Sequence, residues 1–289
     1  MEIVIDEKSG FCFGVKRAID MAEKEIQDGN TLYCLGEIVH NKEEVTRLER
    51  KGIKFIDRET FFKLQNCKVL IRAHGEPPFT YQHALKNKIE LIDATCPVVI
   101  KLQEKVKNVE AMNPDGQIVI YGRKEHPEVI GLAGQVKKAI VIESEDDLEL
   151  IDFHKKIFLF AQTTKDKNKY ILIKNTIAQK LHDKGIDENN LIPVDSICGQ
   201  VANRAPWLEK FSREVDALIF VGGVTSSNSK MLFEICKKNN PKSYFVTKSD
   251  DLDNIDLTGA KSVGISGATS TPSWLINEIA DKIEIKSKQ

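Results

Sequence analysis

Long apolar runs and a strong excess of charge are both absent from this chain of 289 residues. No apolar stretch approaches the roughly 20 residues that a membrane-spanning helix needs. The start, MEIVIDEKSG, has neither the charged region nor the apolar stretch of a signal peptide. The net charge of −1 provides neither a basic track for nucleic acid nor a polybasic tail for a membrane. We therefore expect a cytoplasmic protein without nucleic-acid or membrane partners, whose cysteines are reduced thiols or metal ligands.

Common cofactor motifs are absent as well. The sequence contains neither the Walker pattern GxxxxGK[ST] nor the fingerprint GxGxxG, which argues against a nucleoside triphosphate or NAD as ligand. It contains no CxxC pair, which argues against a zinc ribbon, a ferredoxin-type cluster run and a dithiol redox site. Whatever chemistry the cysteines support must therefore come from residues far apart in the sequence.

Three of the six cysteines stand in a repeated sequence context. Cys12, Cys96 and Cys198 each lie where a short apolar strand meets a predicted helix, in EIVIDEKSGFCFGV, IELIDATCPVVI and LIPVDSICGQVA. After each cysteine the pattern runs helix, strand, helix, strand, turn, strand and helix. The third repeat lacks a closing strand of its own, and the N-terminal EIVID can supply it.

Strands that alternate with amphipathic helices predict parallel sheets covered by helices. We therefore predict an α/β fold of three similar αβα lobes with pseudo-threefold symmetry. The predicted lobes span residues 13–96, 97–197 and 198–289, and the N-terminal strand in 1–12 completes the third. Ligands of such sheets bind beyond the carboxyl ends of the strands, which makes the residues at those ends the candidate site.

The cysteines allow two interpretations. A lone cysteine is usually a small buried hydrophobe, and this is our interpretation of Cys34, Cys67 and Cys236. Three thiolates brought to one centre can instead hold an iron–sulfur cluster and leave one iron open for chemistry. A position just before a helix favours the thiolate, so the candidate metal ligands are Cys12, Cys96 and Cys198. Spacing alone leaves open whether these three share one site, although the repeat gives them equivalent positions.

Polar residues follow two further strands of each repeat. The first set lies 28 to 30 residues after the cysteine of its repeat and consists of His40, His126 and Ser226. The second set follows the next predicted buried strand and consists of His74, Thr163 and Ser270. Several of these residues lead into helices, whose N-termini offer N–H groups and a partial positive charge to phosphate. Each can be an ordinary cap, as predicted for Asn41 with Glu44 at the capping-box position, but together they indicate a bound polyanion.

Glu128 is the carboxylate of the triplet His126-Pro127-Glu128. A glutamate in the first turn of a helix commonly lies on the surface and complements the helix dipole. In a closed cavity beside a metal it would instead be a proton donor, and the sequence leaves both interpretations open. The remaining histidines lie in polar segments and are predicted at the surface: His83, His154 and His182.

The motifs GFCFGVKRAI, EIVHN, AHGE, DATCP, HPE, AQTT, DSIC, SSNS and GATSTP occur in this order over nearly the whole chain. Together they closely resemble the LytB family of 4-hydroxy-3-methylbut-2-enyl diphosphate reductases, which act last in the non-mevalonate isoprenoid pathway. The resemblance covers roughly residues 2–281. It implies three αβα lobes around a [4Fe–4S] cluster on Cys12, Cys96 and Cys198. It also implies an electron donor such as ferredoxin or flavodoxin.

The resemblance further implies an oxidoreductase that removes the hydroxyl group of (E)-4-hydroxy-3-methylbut-2-enyl diphosphate and forms isopentenyl and dimethylallyl diphosphate. The residues implied to bind the diphosphate are His40, His74, Ser226, Ser227, Asn228 and Ser270. His126 and Thr163 would contact the substrate, and Glu128 would deliver protons. The segments GRKEHPE and GGVTSSNS depart locally from the usual family forms, but neither departure touches a candidate catalytic side chain.

Two alternatives belong to other functional classes. Quinolinate synthase is similar, with three αβα lobes around a three-cysteine cluster. Its carboxylate substrates, however, would favour Arg or Tyr as binding side chains over the His, Ser and Asn set of this chain. A non-enzymatic iron–sulfur sensor would need a DNA-binding element or a basic face, and the sequence indicates neither.

Overall fold

The structure is a computed structural model that describes residues 1–26 and 31–287. Within these residues the chain forms twelve β-strands: β1 (Glu2–Ile5), β2 (Leu32–Leu35), β3 (Ile53–Ile56), β4 (Lys68–Ile71), β5 (Glu90–Asp93), β6 (Gln117–Tyr121), β7 (Ala139–Ile142), β8 (Ile157–Ala161), β9 (Leu191–Pro193), β10 (Ala217–Val221), β11 (Ser243–Val246) and β12 (Ser262–Gly267).

The same residues contain eleven α-helices: α1 (Phe13–Ile26), α2 (Lys42–Arg50), α3 (Arg58–Phe61), α4 (Pro78–Lys86), α5 (Pro97–Met112), α6 (Pro127–Ala133), α7 (Lys167–Asp183), α8 (Gly199–Ala202), α9 (Arg204–Arg213), α10 (Ser227–Asn239) and α11 (Ser273–Ser287). Short 3-10 helices cover Glu145–Leu150, Glu188–Asn190 and Ser249–Asn254. None of the helices in these described ranges combines the length and the apolar character that crossing a bilayer requires.

The described strands form three four-stranded parallel sheets. The strand orders are β1-β12-β10-β11, β3-β2-β4-β5 and β7-β6-β8-β9. In every sheet one edge strand precedes a cysteine of the repeat, namely β1, β5 or β9. The two inner strands of every sheet precede the candidate polyanion residues. The predicted α/β fold with three equivalent parallel sheets is therefore confirmed.

The N-terminal strand completes the sheet of the third repeat, as predicted. β1 pairs in parallel with β12, with Ile3 opposite Val263 and Ile5 opposite Ile265. The loop after β1 carries Cys12, so this pairing places the first cysteine on the sheet formed by the end of the chain. The pairing joins residues about as far apart in sequence as the chain allows.

The chain divides into two compact units, Met1–Ile56 with Gly199–Gln289 and Asp57–Cys198. We call them the first unit and the second unit. The first unit holds the whole sheet β1-β12-β10-β11, and the second unit holds the whole sheet β7-β6-β8-β9. The residue limits expected for the three lobes, 13–96, 97–197 and 198–289 with 1–12, stay a prediction.

The sheet of the second unit is covered on both faces. The strands β6 and β8 are buried along their whole length, as expected of a parallel sheet between helices. Val119 and Leu159 belong to the core that contains the apolar side of α7. Ile118 and Phe160, which point to the opposite face because side chains alternate along a strand, pack with α5 and α6. The sheet of the first unit repeats this pattern, with α11 on one face and α9 and α10 on the other.

The strands that lead to the site end before the candidate polar residues. β2, β6 and β10 end at Leu35, Tyr121 and Val221, so that His40, His126 and Ser226 each lie five residues beyond a strand end. A glycine directly follows each of these strands. Gly36 has φ +75, a left-handed conformation that glycine adopts without strain and that turns the chain out of the sheet. The candidate polar residues therefore lie in the loops after the strands.

Candidate functional site

The three repeated cysteines are held by equivalent backbone hydrogen bonds. The backbone N–H groups donate to carbonyl oxygens as follows: Cys12 to Thr269 at 3.1 Å, Cys96 to Ala73 at 3.0 Å and Cys198 to Thr163 at 2.9 Å. Each acceptor lies two residues after the end of an equivalent inner strand, β12, β4 or β8. Each cysteine also directly precedes a helix, a position that favours the thiolate. The repeat in the sequence is thus also a repeat in hydrogen bonding.

All six cysteines lie in the described ranges, form no disulfide there and differ in burial. Cys34 and Cys236 are completely buried, as predicted, and burial raises the pKa of Cys236 to about 11. The prediction that Cys67 is buried is wrong, because this residue is half-buried in the turn just before β4 begins. The cysteines of the repeat are also half-buried: Cys12, Cys96 and Cys198.

In the first unit, three loops carry candidate diphosphate ligands. They are the β2–α2 loop with His40, the β10–α10 loop with Ser226 and the β12–α11 loop with Ser270. A Cβ atom on Gly223 would lie 1.9 Å from the carbonyl oxygen of His40, so the second loop passes the first at a distance that only glycine permits. Asn228 Nδ2 donates to Thr269 Oγ1 at 3.1 Å, which joins the second loop to the third. The fold of the first unit therefore gathers these three loops.

The predicted helix caps at two of these loops are confirmed. Asn41 caps α2, and its Oδ1 accepts from Glu44 N–H at 3.1 Å. Ser226 caps α10, and its Oγ accepts from Ser229 N–H at 3.1 Å. A serine hydroxyl that accepts a bond at a cap still has its own proton to donate to an anion. The capping and the anion-binding interpretations of Ser226 are therefore compatible.

Two candidate ligands in the first unit carry buried polar atoms that lack a protein partner. Asn228 Oδ1 and Ser270 Oγ are buried and have no hydrogen-bond partner among the described residues. Such atoms are rare and need an explanation. The Ser270 hydroxyl can donate to a phosphate oxygen, and the Asn228 amide can turn to present its N–H groups while Thr269 donates to Oδ1. Ser227, at the first position of α10, is exposed.

In the second unit, two candidate histidines lie against each other. The rings of His74 and His126 are 5.2 Å apart between centroids and nearly perpendicular, at 80°. His126 is 4% exposed and caps α6, its Nδ1 accepting from Glu128 N–H at 3.2 Å. Because an acceptor nitrogen carries no proton, this bond places the proton of neutral His126 on Nε2. His126 Nε2 is therefore a donor.

Glu128 and Thr163 form a buried hydrogen-bonded pair in the same unit. The Thr163 backbone N–H donates to Glu128 Oε1 at 2.6 Å, and its hydroxyl donates to Oε2 at 2.7 Å. Glu128 is 2% exposed and Thr163 5%. Burial raises the pKa of Glu128, an effect that the two bonds from Thr163 oppose without cancelling. Glu128 is therefore a carboxyl group that holds its proton to a higher pH than an exposed glutamate.

Burial decides the alternative left open for Glu128 and tests the surface prediction for three histidines. The interpretation of Glu128 as a surface partner of the helix dipole is wrong, because the side chain is enclosed between α6 and the β8–α7 loop. The surface prediction holds for His154 and His182, which are exposed. It is wrong for His83, which is half-buried because its ring packs against Phe61 and Phe62 at 5.4 and 4.7 Å.

The structure thus brings the candidate residues into two sets, one in each unit. The first unit holds Cys12, His40, Ser226, Ser227, Asn228 and Ser270, and the second holds His74, Cys96, His126, Glu128, Thr163 and Cys198. Sequence reasoning missed Thr269, whose carbonyl accepts from Cys12 and whose hydroxyl accepts from Asn228. A signal was present, since Thr269 precedes Ser270 in GATSTP as Ala73 precedes His74 in AHGE.

Comparison of the sequence with known proteins gives full-length matches. The sequence pattern described as LytB protein matches residues 3–284. A protein of Bacteroides fragilis named 4-hydroxy-3-methylbut-2-enyl diphosphate reductase is 50% identical, over 100% of this chain and 99% of its own length. A protein of the same name from Chloroherpeton thalassium is 45% identical, over 98% of this chain and 96% of its own length.

Solved structures of similar proteins share the fold. One, described as (E)-4-hydroxy-3-methyl-but-2-enyl diphosphate reductase, the terminal enzyme of the non-mevalonate pathway, has a TM-score of 0.74 at 32% identity, over 99% of this chain and all of that one. The E-1-hydroxy-2-methyl-but-2-enyl-4-diphosphate reductase from Plasmodium falciparum has a TM-score of 0.83 at 29% identity, over 97% of this chain and 87% of that one. With its motifs, its three sheets and these matches over its whole length, the chain belongs to the LytB protein family.

Proposed function

We propose that this protein is a 4-hydroxy-3-methylbut-2-enyl diphosphate reductase. It would convert (E)-4-hydroxy-3-methylbut-2-enyl diphosphate, an allylic alcohol, into isopentenyl diphosphate and dimethylallyl diphosphate. Each turnover would consume two electrons and two protons and release the hydroxyl group as water. The relatives of that name, which match over nearly their whole length, support this activity. One observation carries the proposal: Thr163 links the candidate acid to a candidate cluster ligand. Its N–H and hydroxyl donate to Glu128, and its carbonyl accepts from the Cys198 N–H.

The proposed cofactor is a [4Fe–4S] cluster bound by Cys12, Cys96 and Cys198. LytB proteins are iron–sulfur enzymes, and the three thiols suit such a group in this chain. They stand at equivalent backbone positions before helices and are half-buried, and the Cys96 side chain is not used to cap its helix. When bound, the cluster would supply the electrons and a Lewis-acidic iron. An external donor such as ferredoxin or flavodoxin would reduce the protein.

The diphosphate would be bound by the loops of the first unit together with His74. Its negative charge suits the N-termini of α2, α10 and α11, where backbone N–H groups and the helix dipole favour anions. The proposed side-chain donors are His40, His74, Ser226, Ser227, Asn228 and Ser270. Binding energy from this distant, unreacting group would hold the reacting C–O bond in place, which is how remote contacts accelerate a reaction.

The proton for the leaving hydroxyl would come from Glu128. Hydroxide is a poor leaving group, so a proton must reach the oxygen as the C–O bond breaks. A buried carboxyl group with a raised pKa retains a proton to transfer. Thr163 would relay it, because its hydroxyl can receive a proton from Glu128 Oε2 and donate its own to the substrate. His126 would orient the substrate through its Nε2 proton.

The proposal is tested by activity measured on anaerobically purified protein. Iron and acid-labile sulfide would be counted first, and the allylic diphosphate would then be supplied with a reduced donor. The expected result is four irons per chain and formation of the two five-carbon diphosphates, detected by mass spectrometry. A protein with a full cluster that leaves the substrate unchanged would refute the proposed activity.

A further inference from the structure

Glu44, on α2 of the first unit, is a completely buried carboxylate that the proposed reaction does not use. Its Oε2 accepts from Trp274 Nε1 at 2.7 Å. Arg47 donates to both oxygens, from Nε to Oε2 at 2.8 Å and from Nη2 to Oε1 at 2.6 Å. A buried charge is costly unless it is paired and hydrogen-bonded, and Glu44 is both. These bonds also explain why the predicted capping box is only half formed, since the carboxylate does not turn back to Asn41.

The bond between Glu44 and Trp274 joins two of the loops that carry candidate diphosphate ligands. Glu44 lies four residues after His40, in the first turn of α2. Trp274 lies four residues after Ser270, in the first turn of α11. The bond therefore joins the first turns of α2 and α11, each four residues in sequence after a candidate ligand.

We propose that Glu44 is a positioning residue for the diphosphate, which with Trp274 sets the spacing between His40 and Ser270. The inference rests on the proposed function, because it requires that His40 and Ser270 bind diphosphate. An anion gripped from two loops needs both donors at hydrogen-bond distance at the same time. Loops are the mobile parts of a fold, and fixing them before the ligand arrives lowers the cost of binding.

Arg47 makes a carboxylate acceptable at this place. A bare negative charge four residues after the candidate ligand His40 would repel a diphosphate bound there. The guanidinium of Arg47, held on both oxygens of Glu44, offsets that charge. Arg47 Nη1 also donates to Glu23 Oε1 on α1 at 2.7 Å, so the same chain of bonds reaches the helix that begins directly after Cys12.

The test uses Trp274→Phe in the cluster-containing enzyme, with inorganic diphosphate as a competitive inhibitor. Phenylalanine keeps most of the ring packing and removes the N–H that Glu44 accepts. We expect the inhibition constant of diphosphate and the KM of the substrate to rise about tenfold, which corresponds to about 1.4 kcal/mol. The value of kcat/KM should fall more than kcat, because the lost interaction weakens substrate binding in the ground state as well as in the transition state.

Trp207→Phe is the matched control. Trp207 Nε1 also donates to a carboxylate of the first unit, Asp6 Oδ1, at 2.7 Å, but it joins neither His40 nor Ser270. The control should lose thermal stability like Trp274→Phe and leave the diphosphate inhibition constant unchanged. If the inhibition constant of diphosphate is the same for both variants and wild type, Glu44 only stabilises the packing of α2 and α11. The inference is then wrong while the proposed function stands.

Two further outcomes are decisive. If diphosphate does not compete even in active wild-type enzyme, the proposed diphosphate site fails, and the inference fails with it. If Trp274→Phe does not fold, Glu44→Gln replaces it, since glutamine keeps the volume and one oxygen for Trp274 but loses the charge-assisted bonds to Arg47. An unchanged inhibition constant in Glu44→Gln would then overturn the inference.

Discussion

Thr163 holds Glu128 at both carboxylate oxygens, with its backbone N–H on Oε1 at 2.6 Å and its hydroxyl on Oε2 at 2.7 Å. The carbonyl of the same residue accepts from the backbone N–H of Cys198 at 2.9 Å. A single threonine therefore fixes the orientation of the candidate acid and ties it to a candidate cluster ligand. Any movement of Thr163 would displace both.

Replacing Glu128 by glutamine should abolish most of the turnover. Glutamine keeps the shape but cannot transfer the proton, so kcat should fall by about two to four orders of magnitude. The inhibition constant of inorganic diphosphate should not change, because the diphosphate ligands are other residues. Steady-state kinetics on preparations with equal iron content would measure both. Near-normal turnover would mean that Glu128 is not the proton donor.

The pH dependence of stability should also change in Glu128→Gln. Burial raises the pKa of Glu128 above its ordinary value of 4.5, so the folded state holds the proton more tightly than the unfolded state. The stability that this proton contributes is complete below pH 4.5 and is lost as the pH rises through the folded pKa. As the pH rises from about 4.5 to 8, the melting temperature of the variant should therefore increase relative to that of wild type. Curves of melting temperature against pH that run parallel for wild type and variant would contradict this prediction. The control is Glu149→Gln, at an exposed position.

Single replacements should separate the cysteines into two groups. Cys12→Ser, Cys96→Ser and Cys198→Ser should each lose most of their iron, because a serine is a much poorer cluster ligand than a thiolate. Cys34→Ser and Cys236→Ser should keep it with a loss of stability, since both side chains are completely buried. Iron analysis and Mössbauer spectra of anaerobic protein would distinguish the groups. Full iron in any of the first three variants would remove that cysteine from the proposed ligand set.

Ser270→Ala should weaken diphosphate binding without destabilising the protein. The buried Ser270 Oγ has no partner among the described residues, so its removal breaks no protein hydrogen bond. A lost bond to a charged phosphate costs about 1.5–3 kcal/mol, which is roughly tenfold to a hundredfold in the inhibition constant of diphosphate. Ser287→Ala, at the far end of α11, is the control. An unchanged inhibition constant in Ser270→Ala would exclude this residue as a ligand.

Asp6→Asn should destabilise the first unit strongly. Arg204 Nη2 donates to Asp6 Oδ2 at 2.5 Å, and both side chains are almost completely buried. Losing one partner of a buried pair leaves the other charge unpaired and costs about 3–5 kcal/mol, which urea denaturation would measure. Glu209→Gln, which breaks an exposed pair with Arg213, should cost at most about 1 kcal/mol. Equal effects of the two variants would contradict the prediction.

The effect of Asp6→Asn should depend on pH in a defined direction. Burial alone would raise the pKa of Asp6, but the hydrogen bond and the charge of Arg204 outweigh it, and the pKa is lowered from 3.8. A lowered pKa contributes stability that is present above pH 3.8 and is lost as the pH falls through the folded value. The difference between wild type and Asp6→Asn should therefore shrink below about pH 4.

The sequence by itself determined the local features of this protein. The repeated cysteine contexts, the order of strands and helices, and the caps at Asn41, His126 and Ser226 depend on residues that are close in the chain. Even the pairing of β1 with β12 was predictable, because the third repeat was one strand short. The strand ends were not, since the apolar pattern runs on past the glycine after β2, in GEIV, and past the glycines after β10, in GGV, where these strands have already ended.

Only the tertiary structure decided what the polar side chains bind. Glu128 in a first helical turn is compatible with a surface position, and its burial depends on the β8–α7 loop 35 residues away. The partners Glu44 and Trp274 are 230 residues apart, and no periodicity relates them. The physical reason is that residue type and spacing specify which face of a strand or helix is buried. Which side chain from elsewhere in the chain meets that face depends on how sheets, helices and loops pack in three dimensions.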